Sequence, residues 1–437
     1  MKVCIDGFNI ALRRGSGIAT YARNLNLALR ALGFETQILH GPAQAPGRDN
    51  LLNEISLFDA NPRPLPDAGR LIGGLAALAM PWTTQARAVE ATGEVIARQV
   101  EPNAPPCDAL WLRQDLFHRA NLAHAAVGQF STVRLGRTPA ADVMHWTCPL
   151  PLREPRIANL YTIHDLVPLR LPFATLEIKR RFLHLCRQIC RRADRVVTVS
   201  EHSKQDIMRV FDLPEDRIVV THQAVNLPAA LTSKPDTAIE AEIEGVFGLP
   251  WRGYFIFFGA IEPKKNLARV VEAYLGSGVT TPLVIVGGRA WLDEDETRLI
   301  RPDLVEARVM RDGVLRQADR IRRYDYLPFA LLVSLIRGAK ATLLPSLYEG
   351  FGLPVLESML LRTPVLASTA GSLPEVAGDA AILVDPYDTG AIREAIRNLD
   401  GDEDLRTDLI ARGVKRAERF SPSAYQARLA ELYAAVG

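Results

Sequence analysis

The chain has 437 residues, of which 48% are hydrophobic and 23% charged, with a formal net charge of +2. This is ordinary globular composition, long enough for two domains of roughly 200 residues that each bury a core. The near-neutral balance excludes a general attraction to nucleic acid, so any charged partner must be met by a local patch. The five cysteines are too few and too irregular for a disulfide framework and fit a reducing compartment.

"MKVCIDGF" enters a strand directly, without the apolar run of a signal peptide. The most apolar stretch, "LIGGLAALAMPW" at 71–82, is too short to span a bilayer, so the expectation is a cytoplasmic protein. Next, "GFNIALRRGSGIATYARNL" gives a glycine-rich loop (Gly15, Gly17) ahead of an amphipathic helix. Its spacing is not the dinucleotide fingerprint, but it offers a flexible, backbone-rich wall.

Short β-branched runs alternating with longer amphipathic segments predict an α/β protein with parallel sheets. In the first half they fall at 3–8, 36–39, 142–146, 159–163, 195–199 and 217–221. Residues 41–125, rich in proline and carrying Ala and Leu patches, read as a largely helical insertion. "NLYTIHDLVPL" puts His164 and Asp165 just past a strand, where a histidine can donate to a sugar hydroxyl or a developing charge. His145 has the same kind of position.

The segment 177–195 carries Lys179, Arg180, Arg181, Arg187, Arg191, Arg192 and Arg195 beside an apolar face of Phe182, Leu183, Leu185 and Ile189. It reads either as a solvated surface helix or as a contact for anionic lipid or a lipid-linked diphosphate. Cys186 and Cys190 lie near His184, yet no second ligand pair follows at zinc-like spacing.

Periodicity lapses over 226–250, which predicts a linker between domains at 1–230 and 250–437. The second half has strand candidates at 254–259, 282–288, 341–345, 364–368 and 380–385. The result is two doubly wound domains facing each other across a cleft, with ligands expected outside the carboxyl ends of the strands. After the first of these strands, "AIEPKKN" sets Lys264 and Lys265 before a helix N-terminus that Asn266 can cap, a natural anion site.

"PSLYEGFGLPVLESM" at 345–359 is the stronger signal. Gly350 and Gly352, with Phe351 and Leu353 between and after them, let backbone approach a ligand, and Pro354 suits the first helical turn. Glu349 can accept from a polyol, and Glu357 can bridge two ribose hydroxyls. No cluster of acids has metal-ligand spacing, so the expectation is no metal and no cofactor.

"GSGIATYARNL", "YTIHDLVP", "VVTVSEHSK", "GAIEPKKNL", "PSLYEGFGLPVLES" and "GSLPEVAGDAAILVDP" together resemble the family 4 retaining glycosyltransferases of the GT-B fold. The wording of "GAIEPKKN" and "TIHDLVP" is similar to bacterial mannosyltransferases of polysaccharide assembly. The resemblance implies two Rossmann-like domains, with the last helix packing back on the first. It implies a nucleotide-sugar donor, preferably GDP-mannose, and a glycan or polyprenyl-diphosphate-linked acceptor at the inner face of the cytoplasmic membrane. Glu349 would then contact the donor sugar, Glu357 the ribose, Lys265 with Lys264 the diphosphate, and His164 the hexose near the reacting carbon. Gly17, Gly350, Phe351, Gly352 and Leu353 would line the donor site. Two positions depart from the pattern: Ala260 stands where an arginine is usual, and Arg362 where a glycine is usual. A nucleotide-sugar-binding subunit without activity, or a sugar-nucleotide epimerase, are the competing readings.

Overall fold

The computed structural model describes residues 1–10, 17–43, 45, 47, 49–58, 83–90, 92, 94–95, 106–288, 294–300, 306–311 and 314–436. Gly15 and the apolar stretch 71–82 lie outside the described residues.

The first sheet has ten strands. They are β1 (Lys2–Asp6), β2 (Glu35–His40), β3 (Thr83–Val89), β4 (Ala109–Leu112) and β5 (Ser131–Leu135), then β6 (Val143–Trp146), β7 (Leu152–Arg153), β8 (Ala158–Thr162), β9 (Arg195–Thr198) and β10 (Ile218–Val220). Their order is β10-β9-β8-β6-β1-β2-β4-β3-β5-β7. From β1 the chain moves outward through β2 to β4, then returns to β6 and moves the other way. The crevice between β1 and β6 is therefore a switch point, where loops diverge and ligands bind.

The second half repeats the device. Its strands are β11 (Phe255–Phe258), β12 (Leu283–Val286), a separate antiparallel ribbon of β13 (Glu306–Arg311) and β14 (Val314–Asp319), then β15 (Ile321–Tyr324), β16 (Ala341–Leu344), β17 (Val365–Ser368) and β18 (Ile382–Val384). The sheet order is β15-β12-β11-β16-β17-β18, all pairs parallel, with the switch between β11 and β16. All four residues of β11, β12, β16 and β17 are buried, the near-continuous apolar pattern of a sheet covered on both faces.

The stretch read as a largely helical insertion supplies two strands among its described residues. Strand β4 pairs parallel with β2, and β3 pairs antiparallel with β4. The run "ALWL" is short and buried, and "TTQARAV" is half exposed, so neither announces itself beside so much proline and alanine. Strand β15, "IRRY", was equally silent, because only Ile321 is buried.

The two halves touch through side chains remote in sequence. Ser200 Oγ donates to the Gly350 carbonyl at 2.7 Å, and Tyr348 donates to Asp206 at 2.7 Å. Glu375 accepts from the His222 ring at 2.8 Å and from the Glu201 and His202 amides at 2.9 and 3.1 Å. The terminal helix Pro422–Ala434 runs back to the first sheet, where Tyr433 meets His145 at 2.6 Å.

Candidate active site

On the second-half wall, a 3-10 turn at Pro263–Lys265 follows β11. Asn266 takes a left-handed conformation (φ 63°) and its side chain does not cap the following helix, Leu267–Ser277. It donates instead to the carbonyls of Pro345 and Pro386, at 2.9 and 2.8 Å, tying the lysine loop to the loop after β16. The amide of Ala268, in the helix's first turn, already donates to the Glu296 carboxylate at 2.9 Å. The helix end expected to take the diphosphate thus has a carboxylate of the chain itself, which a reading of local spacing could not foresee.

Lys265 Nζ lies 2.6 Å from Glu349 Oε1, with each side chain only 10% exposed. Lys264 Nζ lies 3.3 Å from Glu262. Burial disfavours the Lys264 charge, but the carboxylates of Glu349, Glu262 and Asp165 outweigh it and hold the ammonium above its ordinary range. Burial likewise pushes Glu349 up, and Lys265 and Lys264 more than offset it, keeping the carboxylate ionised. The two ammonium groups are thus paired with Glu349 and Glu262, with Asp165 also near Lys264.

The turn after β16 is shaped by its glycines. A Cβ on Gly350 would come within 2.8–3.0 Å of the Asp165 side chain and the His164 carbonyl, so only glycine lets the two halves meet here. Gly352 has φ +105° and opens the helix Leu353–Leu360, with Pro354 in its first turn. Ser372 stitches the turn, its hydroxyl 2.9 Å from the Glu349 carbonyl and 2.7 Å from that of Phe351. The Phe351 ring is buried against Phe420, centroids 5.5 Å apart, so this residue can reach a ligand only through its backbone. Leu353 is half-buried against the core. The Glu357 carboxylate takes no hydrogen bond from the described residues; burial pushes it up to about 7, with Lys265 pulling the other way.

On the first-half wall, His164 Nε2 lies 2.8 Å from the Thr147 carbonyl. A carbonyl only accepts, so Nε2 carries the hydrogen. Burial holds the ring's pKa below its ordinary value, which favours the neutral form. In the neutral form Nδ1 presents a lone pair, which can accept from a hydroxyl but cannot donate to one. The Thr147 amide in turn donates to Asp6, at the end of β1, whose carboxyl burial pushes up to about 6 against its hydrogen bonds. Tyr21 sets its ring edge-on to His164 at 4.7 Å. Strand-end position alone pointed to Asp6 as much as to His164.

The other expected residues fall elsewhere. His145 is fully buried between Tyr433 and Thr162. Gly17 opens the helix Gly17–Ala31, where a Cβ would meet nothing within 4 Å, and the loop at 11–16 lies outside the described residues. Arg362 adopts the left-handed φ of 58° that a glycine would take freely, a local cost of roughly 1–2 kcal/mol, without disturbing the strand that follows. Cys186 and Cys190 are buried, and among the described residues no cluster of His, Cys, Asp and Glu could hold a metal ion.

Residues 15–228 match the family model described as "Glycosyltransferase Family 4", and residues 250–416 that described as "Glycosyl transferases group 1". An O-antigen chain mannosyltransferase B of Escherichia coli is 35% identical over 52% of this chain and 56% of its own length. The O-antigen chain mannosyltransferase RfbU of Salmonella typhimurium is 28% identical over 61% of this chain and 67% of that protein. The match thus spans little more than half of the first of these relatives. Among solved structures, a sucrose-phosphate synthase from Thermosynechococcus elongatus superposes with TM-score 0.64 at 19% identity, covering 99% of this chain and 98% of that one. Anabaena HepE in complex with UDP and glucose gives 0.62 at 14% identity, with both chains covered in full. At these identities the structures speak for the fold alone.

Proposed function

Because the chain belongs to glycosyltransferase family 4, with the two Rossmann-like domains of the GT-B fold, we propose that it transfers a hexose to a hydroxyl of a glycan or polyprenyl-diphosphate-linked acceptor. The donor is GDP-mannose and the product a bacterial surface polysaccharide; the mannosyltransferases among its relatives support this choice. The observation that carries the reading is the buried Lys265–Glu349 pair beside Lys264, facing Asp165 and His164 across Gly350 at the switch points of both sheets.

In this reading the donor's diphosphate draws Lys265 and Lys264 to itself, which releases the Glu349 carboxylate to accept from hexose hydroxyls. Amides of the turn at 350–353 add donors, and Glu357 accepts from the ribose. His164 Nδ1 accepts from a hexose hydroxyl near the anomeric carbon. As the glycosidic C–O bond breaks, negative charge grows on the leaving diphosphate beside the lysines, a preorganised interaction worth about 3–4 kcal/mol at the transition state. The acceptor oxygen bonds to the anomeric carbon on the same face, and the departing phosphate takes its proton. Configuration is retained, and closure of the two halves keeps water out.

A peripheral membrane contact fits the basic helix Lys179–Arg192, since Phe173, Leu176 and Ile178 just before it are 58%, 68% and 55% exposed. No helix among the described residues is long and apolar enough to cross a membrane.

The test is a panel of GDP, UDP and ADP sugars read by thermal shift and by nucleoside diphosphate release with and without a lipid-linked acceptor pool. GDP-mannose should stabilise by about 2.7 kcal/mol at a hundredfold excess over Kd, and release should depend on acceptor. Binding without release would point to a non-catalytic subunit, and donor consumption without acceptor to an epimerase. A trapped glycosyl-enzyme adduct would replace the same-face mechanism.

A further inference from the structure

We propose that Tyr433, on the terminal helix, is a positioning residue for His164, acting through His145, Thr162 and Tyr21. The inference rests on the reading of His164 given above.

The four groups form one continuous chain in the core of the first half. Tyr433 Oη lies 2.6 Å from His145 Nδ1, His145 Nε2 lies 2.9 Å from Thr162 Oγ1, and Thr162 Oγ1 lies 2.9 Å from Tyr21 Oη. Tyr433, His145 and Thr162 are fully buried and Tyr21 is 1% exposed, so none can turn to water instead. Burial, with His164 nearby, pushes His145 down to about 3, and the imidazole is neutral. A neutral imidazole has one N–H and one lone pair, so if Tyr433 donates to Nδ1 then Nε2–H donates to Thr162, and if Nδ1–H donates to Tyr433 then Nε2 accepts from Thr162 and Tyr21 must donate to Thr162. Losing the Tyr433 hydroxyl at one end frees the ring to switch tautomer, which reorients the Thr162 hydroxyl and its bond at the other end. That other end is the Tyr21 ring, which meets His164 edge-on at 89°.

The terminal helix also has a foot in the second half. Phe420, just before it, packs on Phe351 of the glycine turn and on the His222 ring, with centroids 5.5 Å apart in each case. The helix is thus fixed at one end to the turn and at the other to the support of His164. A phenylalanine at 433 would fill the same space and remove only the bond to His145, so that change isolates the hydroxyl.

The test compares Tyr433→Phe, Thr162→Val and Thr162→Ser in the full chain. Three readouts are taken: the His164 imidazole NMR signal in the ligand-free protein, kcat against KM for the donor, and Kd for free nucleoside diphosphate. Tyr433→Phe and Thr162→Val should each move the His164 signal and lower kcat by about two- to tenfold, the worth of one buried hydrogen bond, with KM and Kd unchanged. Their combination should cost no more than the worse single change, because both cut the same chain. Thr162→Ser, which keeps the hydroxyl, should behave as wild type and decides the matter should Tyr433→Phe not fold. Wild-type His164 signals in the two chain-breaking variants, or losses that multiply, would overturn the proposal. If no donor is turned over by the unaltered protein, the transferase reading fails while the NMR arm still decides this one.

Discussion

The two walls of the cleft are built on opposite principles. The second-half wall is ionic: Lys265, Glu262 and Glu349 are buried beside the half-buried Lys264, their charges answered within the group. On the first-half wall His164 is a neutral ring held by a carbonyl and an aromatic edge, with the Asp165 carboxylate beside it. A leaving diphosphate needs charge, and charge in a low-dielectric site must be paired until the ligand arrives. A hexose needs orientation, which neutral hydrogen bonds with fixed direction supply without attracting counter-ions. In the proposed reaction, this contrast gives leaving-group chemistry to one half and sugar geometry to the other.

Breaking the ionic wall should have the largest effect. Lys265→Ala should lower kcat/KM by roughly a hundred- to a thousandfold, the loss expected for one preorganised partner of the leaving group. It should also cost stability, because Glu349 is then a buried charge with one fewer partner; losing one member of a buried pair costs about 3–5 kcal/mol. Lys265→Met with Glu349→Gln separates the two effects. Thermal melting should recover toward wild type while turnover stays lost. Recovery of turnover along with stability would mean that the pair serves only the fold.

The first-half wall should respond differently. His164→Gln can still place an amide N–H near the Thr147 carbonyl, but it has no acceptor where Nδ1 stands. We expect kcat to fall by about tenfold or more, the range of one positioned transition-state contact, with the Kd of free nucleoside diphosphate unchanged. Titration calorimetry beside steady-state kinetics checks this. A variant that binds nucleotide poorly yet turns over normally would erase the distinction between the walls.

How much of this was legible in the sequence follows from the range of the interactions. Strands such as "FIFF" and "ATLL" are runs of buried residues, and each lies where its apolar pattern predicts. The site loops were found because they follow those strands. What stayed hidden depends on residues that meet only after folding. Nothing near Asn266 says that its amide will serve Pro345 and Pro386, nor that Glu296 will reach the amide of Ala268. The direction of the His164 hydrogen bond needed the Thr147 carbonyl, seventeen residues away along the chain. "VSEHS" carried the family likeness, yet Ser200 and Ser203 serve the junction of the halves by holding the Gly350 carbonyl.

Glu357 offers the smallest and most selective test, because it lies beside the ionic wall but its carboxylate has no hydrogen-bonding partner among the described residues. Burial raises its pKa from 4.5 to about 7, so the folded state holds this proton more tightly than the unfolded chain does. Ionisation therefore opposes folding: the penalty is absent below pH 4.5, grows as pH rises toward 7 and is complete above it. Glu357→Gln should accordingly melt above wild type at pH 8, with the gap closing near pH 4.5. Ribose hydroxyls favour the ionised form, so nucleotide binding to the wild type should release a proton near pH 6 and weaken as pH falls through 7. The Gln variant should bind several-fold more weakly at pH 8, the scale of one charge-assisted hydrogen bond at about 1.5 kcal/mol, and lack that proton release. Calorimetry in two buffers of different ionisation enthalpy measures the difference, and titration of the phosphate cancels between the two proteins. Equal proton release from both would place the ribose away from Glu357 and leave the ionic wall gripping the diphosphate alone.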